Sequence, residues 1–133
     1  MKLIRAYEAD EAKVEQFLKS TPNVKKESLM YQGYVVEIDE KIEACFVLEE
    51  MEDGIYWLKQ LFITQNKAAK LPVLLEAILT LAKHQKAKRV FVHSHQPVVD
   101  ILLEALQFNP QKEEVFVDKY KNEQGNWWSY HVS

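Results

Sequence analysis

A pair of histidines is the first candidate for chemistry in the chain. His93 and His95 are separated by one residue, so on a strand both imidazoles point to the same face of the sheet. Two imidazoles are too few for a zinc site, which normally takes three or four protein ligands, and no His-x-x-x-His pair supplies more. We therefore predict surface or capping histidines and no metal site. His95 alone is a candidate acid or base, because imidazole titrates near neutral pH.

The single cysteine and a tryptophan pair are the other conspicuous side chains. Cys45 lies between Ala44 and Phe46, and because no basic residue flanks it, we predict a buried structural thiol rather than a nucleophile. Trp127 and Trp128 are adjacent, so on a strand their side chains point to opposite faces. We expect at most one of them in the core. The exposed one is a candidate to line an acceptor pocket or an oligomer interface.

Charge is divided between two neighbouring segments. Residues 37–53 carry eight acidic side chains and one lysine, whereas residues 59–89 carry seven basic side chains and one glutamate. One interpretation is that these are solvated faces of opposite sign. The other is that the basic segment binds a phosphorylated cofactor while the acidic segment attracts a cationic amine. The sequence leaves both interpretations open.

Periodicity and turn residues predict the elements in the first half of the chain. Helices are expected over residues 11–19, with Asp10 as the N-cap, and over residues 22–32, ending at Gly33. The predicted strands cover residues 3–7, 34–39, 42–50 and 55–63. Tight turns are expected at residues 40–41 and at Asp53-Gly54.

The second half contains the strongest helix signal. Six residues form one apolar stripe at helical spacing: Leu71, Leu74, Leu75, Ile78, Leu81 and Ala82. We predict a helix over residues 72–86 that exposes Lys83 and Lys86 and buries the last five residues of this stripe, Leu74, Leu75, Ile78, Leu81 and Ala82. A strand over residues 89–93, a helix over 97–106 and a final hairpin of strands 114–120 and 127–132 follow.

Length and composition limit the class of protein. The chain has 133 residues, of which 47% are hydrophobic and 28% charged, and this predicts one soluble domain over residues 1–133. The formal net charge of −3 argues against a nucleic-acid binder, whose affinity depends on a basic surface. No apolar run approaches the roughly 18 residues of a membrane-spanning helix, and because residues 1–10 lack the apolar stretch of a signal peptide, we expect no such leader. We expect a cytoplasmic protein without a membrane partner.

The order of elements and the sequence of residues 39–93 resemble the GNAT acetyltransferase superfamily, and the resemblance covers nearly the whole chain. In that family a central strand ends in Leu-x-Val, a phosphate loop and a long helix follow, and a later helix closes with Gly-Phe. Here residues 61–63 are similar to the strand end, and residues 102–108 to the closing segment, with Gln107 in the place of the glycine. The resemblance implies an α/β (α+β) fold with a mixed, mostly antiparallel central sheet flanked by helices.

The resemblance also implies that acetyl-CoA or CoA is the cofactor. The backbone at the strand end would pair with pantetheine, and the loop before the long helix would bind the pyrophosphate. The residues at these places are Leu61, Phe62, Ile63, Asn66, Lys67, Ala68, Ala69 and Lys70. The small residues of the family's loop correspond here to Ala69 and Leu71, and Pro72 removes one N–H. We therefore predict that Lys67 and Lys70 contribute more phosphate affinity than the loop backbone.

The residues that usually handle protons in the family are replaced. The resemblance aligns Trp57 with a glutamate base and Leu103 with a tyrosine acid, so the catalytic residues are unassigned. We expect an acyl-CoA-dependent N-acyltransferase acting on a small-molecule or peptide amine, and self-association into a homo-oligomer stays open. The alternative is a non-catalytic ligand-sensing or protein-interaction module of the same fold. A third interpretation is a nucleic-acid accessory protein that uses the basic residues 83–89.

Overall fold

A computed structural model of the chain describes residues 1–94, 96–111 and 126–132. Within these residues one sheet has the strand order β1-β2-β3-β4-β5-β7-β6. The strands are β1 (Lys2–Arg5), β2 (Gly33–Ile38), β3 (Lys41–Glu52), β4 (Ile55–Ile63), β5 (Arg89–Ser94), β6 (Asn109–Gln111) and β7 (Asn126–His131). The helices are α1 (Glu11–Lys19), α2 (Lys26–Gln32), α3 (Leu71–His84) and α4 (Pro97–Ala105).

The strand pairs confirm the predicted fold class. β2 pairs antiparallel with both β1 and β3, and β7 pairs antiparallel with both β5 and β6. Two short 3-10 helices, Ala6–Glu8 and Gln65–Lys70, complete the described elements, and we call the second one the loop helix. No helix in this part of the chain is both long and apolar enough to cross a membrane.

The chain divides into two compact units. The first contains Met1–Glu49 and Leu58–Leu71, and the second contains Glu50–Trp57 and Pro72–Ser133. A compact unit need not fold by itself, so the single domain expected over residues 1–133 stays a prediction.

In the first unit, local caps and turns set the ends of the elements. The side chain of Asp10 accepts a hydrogen bond from the backbone N–H of Lys13, so α1 begins where predicted. Asp39 and Glu40 have φ values of 53° and 69° and connect β2 to β3. Two positive φ values in a two-residue connection define a type I′ turn. The turn predicted at residues 40–41 therefore lies one residue earlier.

The predicted start of α2 at Pro22 is wrong, because α2 begins at Lys26. The preceding residues are held by other bonds: Thr21 Oγ1 donates to the carbonyl of Phe17 at 3.0 Å. The N–H of Lys25 donates to Oε1 of Gln60 at 2.8 Å. These contacts fix residues 21–25 as a connection between helices, and long-range hydrogen bonds of this kind cannot be deduced from local propensity.

In the second unit, α3 buries most of its predicted stripe. Leu74, Leu75, Ile78 and Ala82 are buried, Leu81 is half-buried, and Lys83 and Lys86 are exposed. A left-handed residue, Lys86, follows the end of the helix, with a φ of 62°. The N–H of the next residue, Ala87, donates to the carbonyl of Ala82 at 3.0 Å. This is the geometry of a Schellman motif without glycine.

The expectation for the tryptophan pair is wrong. Trp127 and Trp128 are 7% and 6% exposed, so both belong to the core. They do face opposite sides, but each side is covered: Trp127 packs against Phe91, and the indole N–H of Trp128 donates to Asp100 of α4 at 2.8 Å. The short strand β6 was not predicted. The strand expected over residues 114–120 lies outside the described residues.

Candidate functional site

The end of β4 contains an irregular residue just before the predicted cofactor strand. Gln60 has a φ of 51°, a left-handed value that a glutamine adopts at a cost of roughly 1–2 kcal/mol. Its carbonyl oxygen accepts a hydrogen bond from Sγ of Cys45 at 3.5 Å, and its side chain accepts the one from Lys25. Gln60 is therefore held through both its backbone and its side chain. Leu61, Phe62 and Ile63 follow it and are half-buried.

The segment that the resemblance assigns to the pyrophosphate is the loop helix. Lys67 N–H donates to the carbonyl of Thr64 at 3.0 Å, and Leu71 N–H donates to the carbonyl of Ala68. These two amides are used inside the segment, and Pro72 has no N–H. The predicted residues Asn66, Ala68, Ala69 and Lys70 are exposed, and Lys67 is half-buried. The segment therefore fits a phosphate through exposed side chains better than through a cradle of open amides.

One of the two predicted phosphate ligands already has an anionic partner. Nζ of Lys67 lies 2.8 Å from Oδ2 of Asp39 in the β2–β3 turn. This hydrogen bond and the paired charges lower the pKa of Asp39 and raise that of Lys67. Lys70 forms no ion pair with any part of the chain that the structure describes. Lys70 is thus the loop-helix lysine without an ion pair there, whereas the charge of Lys67 is partly neutralised by Asp39.

At the two positions that the resemblance aligns with proton-handling residues, neither side chain can act as an acid or a base. The ring of Trp57 packs in the cluster of Phe91 and Trp127, with its centroid 5.7 Å from that of Trp127. Leu103 is fully buried in α4. An indole and an isobutyl group neither accept nor donate a proton in acid–base catalysis near neutral pH. These two side chains therefore do not transfer protons.

His93 and Cys45 are both packed among other side chains. The ring of His93 lies 4.8 Å from that of Trp127, and His95 lies outside the described residues. No group of three potential metal ligands occurs in residues 1–94, 96–111 and 126–132. Burial raises the pKa of the fully buried Cys45 thiol to about 12. The predicted burial of this thiol is confirmed, and the raised pKa disfavours the reactive thiolate.

The acidic and basic segments partly neutralise each other. Three lysines of the basic segment form ion pairs with carboxylates of the acidic one: Lys59 with Glu49, Lys67 with Asp39 and Lys88 with Asp53. These contacts support the interpretation of the two segments as solvated faces of opposite sign.

Sequence reasoning missed the parts played by Gln60 and Asp39. Gln60 interrupts an apolar strand, which is a weak signal for an irregular residue, but nothing local indicates its positive φ. Asp39 pairs with a lysine 28 positions away. Such a pairing depends on the register of three strands and cannot be obtained from spacing.

No protein-family model matches this sequence, and no curated protein matches it significantly. Solved structures match over nearly the whole chain. A GNAT-family acetyltransferase from Staphylococcus aureus Mu50 has a TM-score of 0.70 and 12% identity, with 99% of each chain covered. A Mycobacterium tuberculosis protein in complex with CoA has a TM-score of 0.74 and 10% identity, with 100% of each chain covered. A Bacillus subtilis acetyltransferase in complex with CoA has a TM-score of 0.72 and 12% identity, with 99% of each chain covered.

These similarities define the class of fold. At such low identities they show the architecture, and the architecture is that of the GNAT acetyltransferases, as the sequence predicted. The activity does not follow from the fold alone, because one fold supports many functions.

Proposed function

We propose that the protein transfers an acyl group from acyl-CoA to the amine of a small-molecule or peptide acceptor. The observation that carries the proposal is the irregular end of β4, where left-handed Gln60 directly precedes Leu61, Phe62 and Ile63. The shared fold supports it, since two proteins of that fold contain CoA. A cytoplasmic location and self-association stay predictions.

The residues at the end of β4 and in the loop helix would hold the cofactor. The backbone of residues 61–63 would pair with the amides of pantetheine in the manner of an added strand. The pyrophosphate would lie against the exposed face of the loop helix, where Lys70 supplies a charge beside the small exposed side chains of Ala68 and Ala69. Lys67 would contribute once it exchanges Asp39 for phosphate.

The chain contributes binding and orientation to the reaction. When bound, acyl-CoA supplies a thioester: the acceptor nitrogen bonds to the acyl carbon, the C–S bond breaks, the amine proton leaves to water and the CoA sulfur is released as thiol or thiolate. Trp57 and Leu103 cannot take part in these proton transfers. We therefore expect the pH dependence to follow ionisation of the acceptor amine, with the protein fixing the distance between the reactants.

The same two residues favour a second candidate function. A chain of this fold with Trp57 and Leu103 at the proton-handling positions can bind CoA without catalysing transfer. It would then act as a ligand-sensing or protein-interaction module.

Two measurements separate the candidates. The first is the thermal midpoint of unfolding with and without CoA or acetyl-CoA, because a ligand at 100 times its Kd stabilises by about 2.7 kcal/mol. The second is release of free thiol from acetyl-CoA in the presence of a panel of primary amines. A thermal shift with amine-dependent thiol release supports the transferase, and a shift without release supports the non-catalytic module. No shift at millimolar ligand would overturn the transferase and would favour the protein-interaction module.

A further inference from the structure

A cavity lies within the first unit, between α1, the β2–β3 turn and the residue after β4. Its volume is about 270 Å³, below the range of pockets that hold drug-sized ligands. Phe17 and Ile42, both buried, form apolar walls. Glu43 and Thr64 also line it, and Lys13 and Lys41 are among its charged lining residues. The cavity thus combines an apolar surface with charges of both signs.

Glu43 is the unusual member of this lining. The residue is only 8% exposed, and its Oε1 accepts a hydrogen bond from Thr64 Oγ1 at 3.2 Å. Within residues 1–94, 96–111 and 126–132 the carboxylate accepts no other hydrogen bond and has no cation within 4.0 Å. Buried carboxylates are normally paired, because removing the charge from water is costly. Glu43 therefore has capacity for a cationic partner.

The three lysines near Glu43 differ in their ion-pair partners. The negative charge of Glu43 contributes to the raised pKa of Lys67, but the ammonium of Lys67 bonds to Asp39. Lys13 lies 3.6 Å from Glu37. Lys41 is exposed and has no ion-pair partner among the described residues. Glu43 is therefore the buried carboxylate of the lining that has no ion pair with the described residues, and Lys41 is the lining lysine that has none.

The chemistry of the lining selects the ligand. A divalent metal would require several oxygen ligands, and no cluster of three acidic, histidine or cysteine side chains is present in the described ranges. A primary ammonium needs fewer partners, and Glu43 and Thr64 provide a carboxylate and a hydroxyl oxygen for it. A ligand carboxylate would be matched by Lys41. We propose that this cavity binds a free α-amino acid with an aliphatic side chain such as that of leucine, its ammonium on Glu43 and its carboxylate on Lys41. The proposal does not depend on acyl transfer or on CoA.

The experiment is calorimetric titration of the full chain with L-leucine and two analogues. The analogue 4-methylpentanoate lacks the ammonium, and 3-methylbutylamine lacks the carboxylate. We expect L-leucine to bind and each analogue to bind at least about tenfold more weakly, since a bond to a charged group is lost in each case. No binding of L-leucine at millimolar concentration, or equal binding of either analogue, would overturn the proposal.

Variants locate the site. Glu43→Gln should weaken L-leucine binding by about tenfold or more, whereas Glu40→Gln, which removes an exposed charge from the same lining, should change it by less than about threefold. Equal effects of the two would mean that only net charge matters, which contradicts a specific site. Lys41→Met tests the carboxylate end of the site without altering Glu43. It should weaken the binding of L-leucine but leave the binding of 3-methylbutylamine, which has no carboxylate, unchanged. If this variant loses affinity for both ligands, or for neither, the assigned orientation of the ligand is contradicted.

Discussion

Gln107 at the end of α4 and the loop helix after β4 both occupy places where the resemblance expects glycine. At the end of α4 the geometry is kept: Gln107 has a φ of 72°, and the N–H of Phe108 donates to the carbonyl of Leu103 at 2.9 Å. After β4 the segment is a 3-10 helix that uses the N–H groups of Lys67 and Leu71 internally. Without glycine, the chain thus forms a left-handed helix end in one region and a 3-10 helix with internally bonded amides in the other.

The difference reflects two separate uses of glycine. Ending a helix requires only a left-handed φ, which another residue can adopt at a cost of roughly 1–2 kcal/mol. Wrapping a phosphate requires the backbone to approach the ligand closely, and a Cβ atom obstructs that approach. Gly33 shows the second use within the fold, because a Cβ there would lie 2.6 Å from the carbonyl oxygen of Leu29.

The largest expected effect is at Gly33. Gly33→Ala forces a methyl group against the backbone of α2, and we expect a loss of about 1–3 kcal/mol in the free energy of unfolding, measured by urea denaturation. Tyr31→Ala on the same helix is the control, since Tyr31 is 83% exposed and should change stability by less than about 0.5 kcal/mol. An unchanged midpoint for Gly33→Ala would show that close approach does not require glycine here.

A smaller effect of opposite sign is expected at the end of α4. Gln107→Gly removes the strain of the left-handed φ, and part of this gain is offset because glycine adds entropy to the unfolded chain. The net stabilisation of the fold should be about 0.5–1 kcal/mol. Glu104→Gly, at an exposed position inside α4, should instead destabilise by about 1 kcal/mol. If both substitutions destabilise equally, Gln107 is not strained and the comparison fails.

The smallest effect concerns the ion pair beside the loop helix. Asp39→Asn releases Lys67, and because an exposed pair contributes about 0.2–1 kcal/mol, CoA affinity should rise by up to about fivefold. Asp53→Asn removes an equal charge at an exposed turn whose partner is Lys88, and should leave CoA affinity unchanged. Calorimetric titration compares the two variants. A weaker Asp39→Asn complex would mean that Asp39 positions Lys67 for the cofactor.

Much of the fold was predictable because it is encoded locally. The cap at Asp10, the stop at Gly33, the Asp53-Gly54 turn and the stripe of α3 are patterns of neighbouring residues, and each predicted its element to within a few residues. The late start of α2 was not predictable in this way, since it depends on the bond from Lys25 to Gln60.

The candidate site was predictable only as a set of positions. The resemblance selected residues 61–63 and the segment of the loop helix, but the sequence does not show that the amides of Lys67 and Leu71 are already bonded. The burial of both Trp127 and Trp128 was missed because alternation along a strand does not reveal whether each face of the sheet is covered. The register of the strands, the covering of each face of the sheet and the partners of side chains that are distant in sequence are all fixed only in the folded chain.

The central claim is that side chains, and not a cradle of amides, bind the phosphates of CoA. Its most direct test is calorimetric titration of CoA into the wild type, a Lys67→Ala, Lys70→Ala double variant and a Lys19→Ala, Lys83→Ala control, at low and at high salt. The control removes two exposed lysines elsewhere in the chain. We predict that the loop variant loses about tenfold or more in affinity at low salt, and that the loss shrinks at high salt because exposed charges are screened beyond about 8 Å at physiological ionic strength. Equal affinity of the wild type and the loop variant at both salt concentrations would contradict the account.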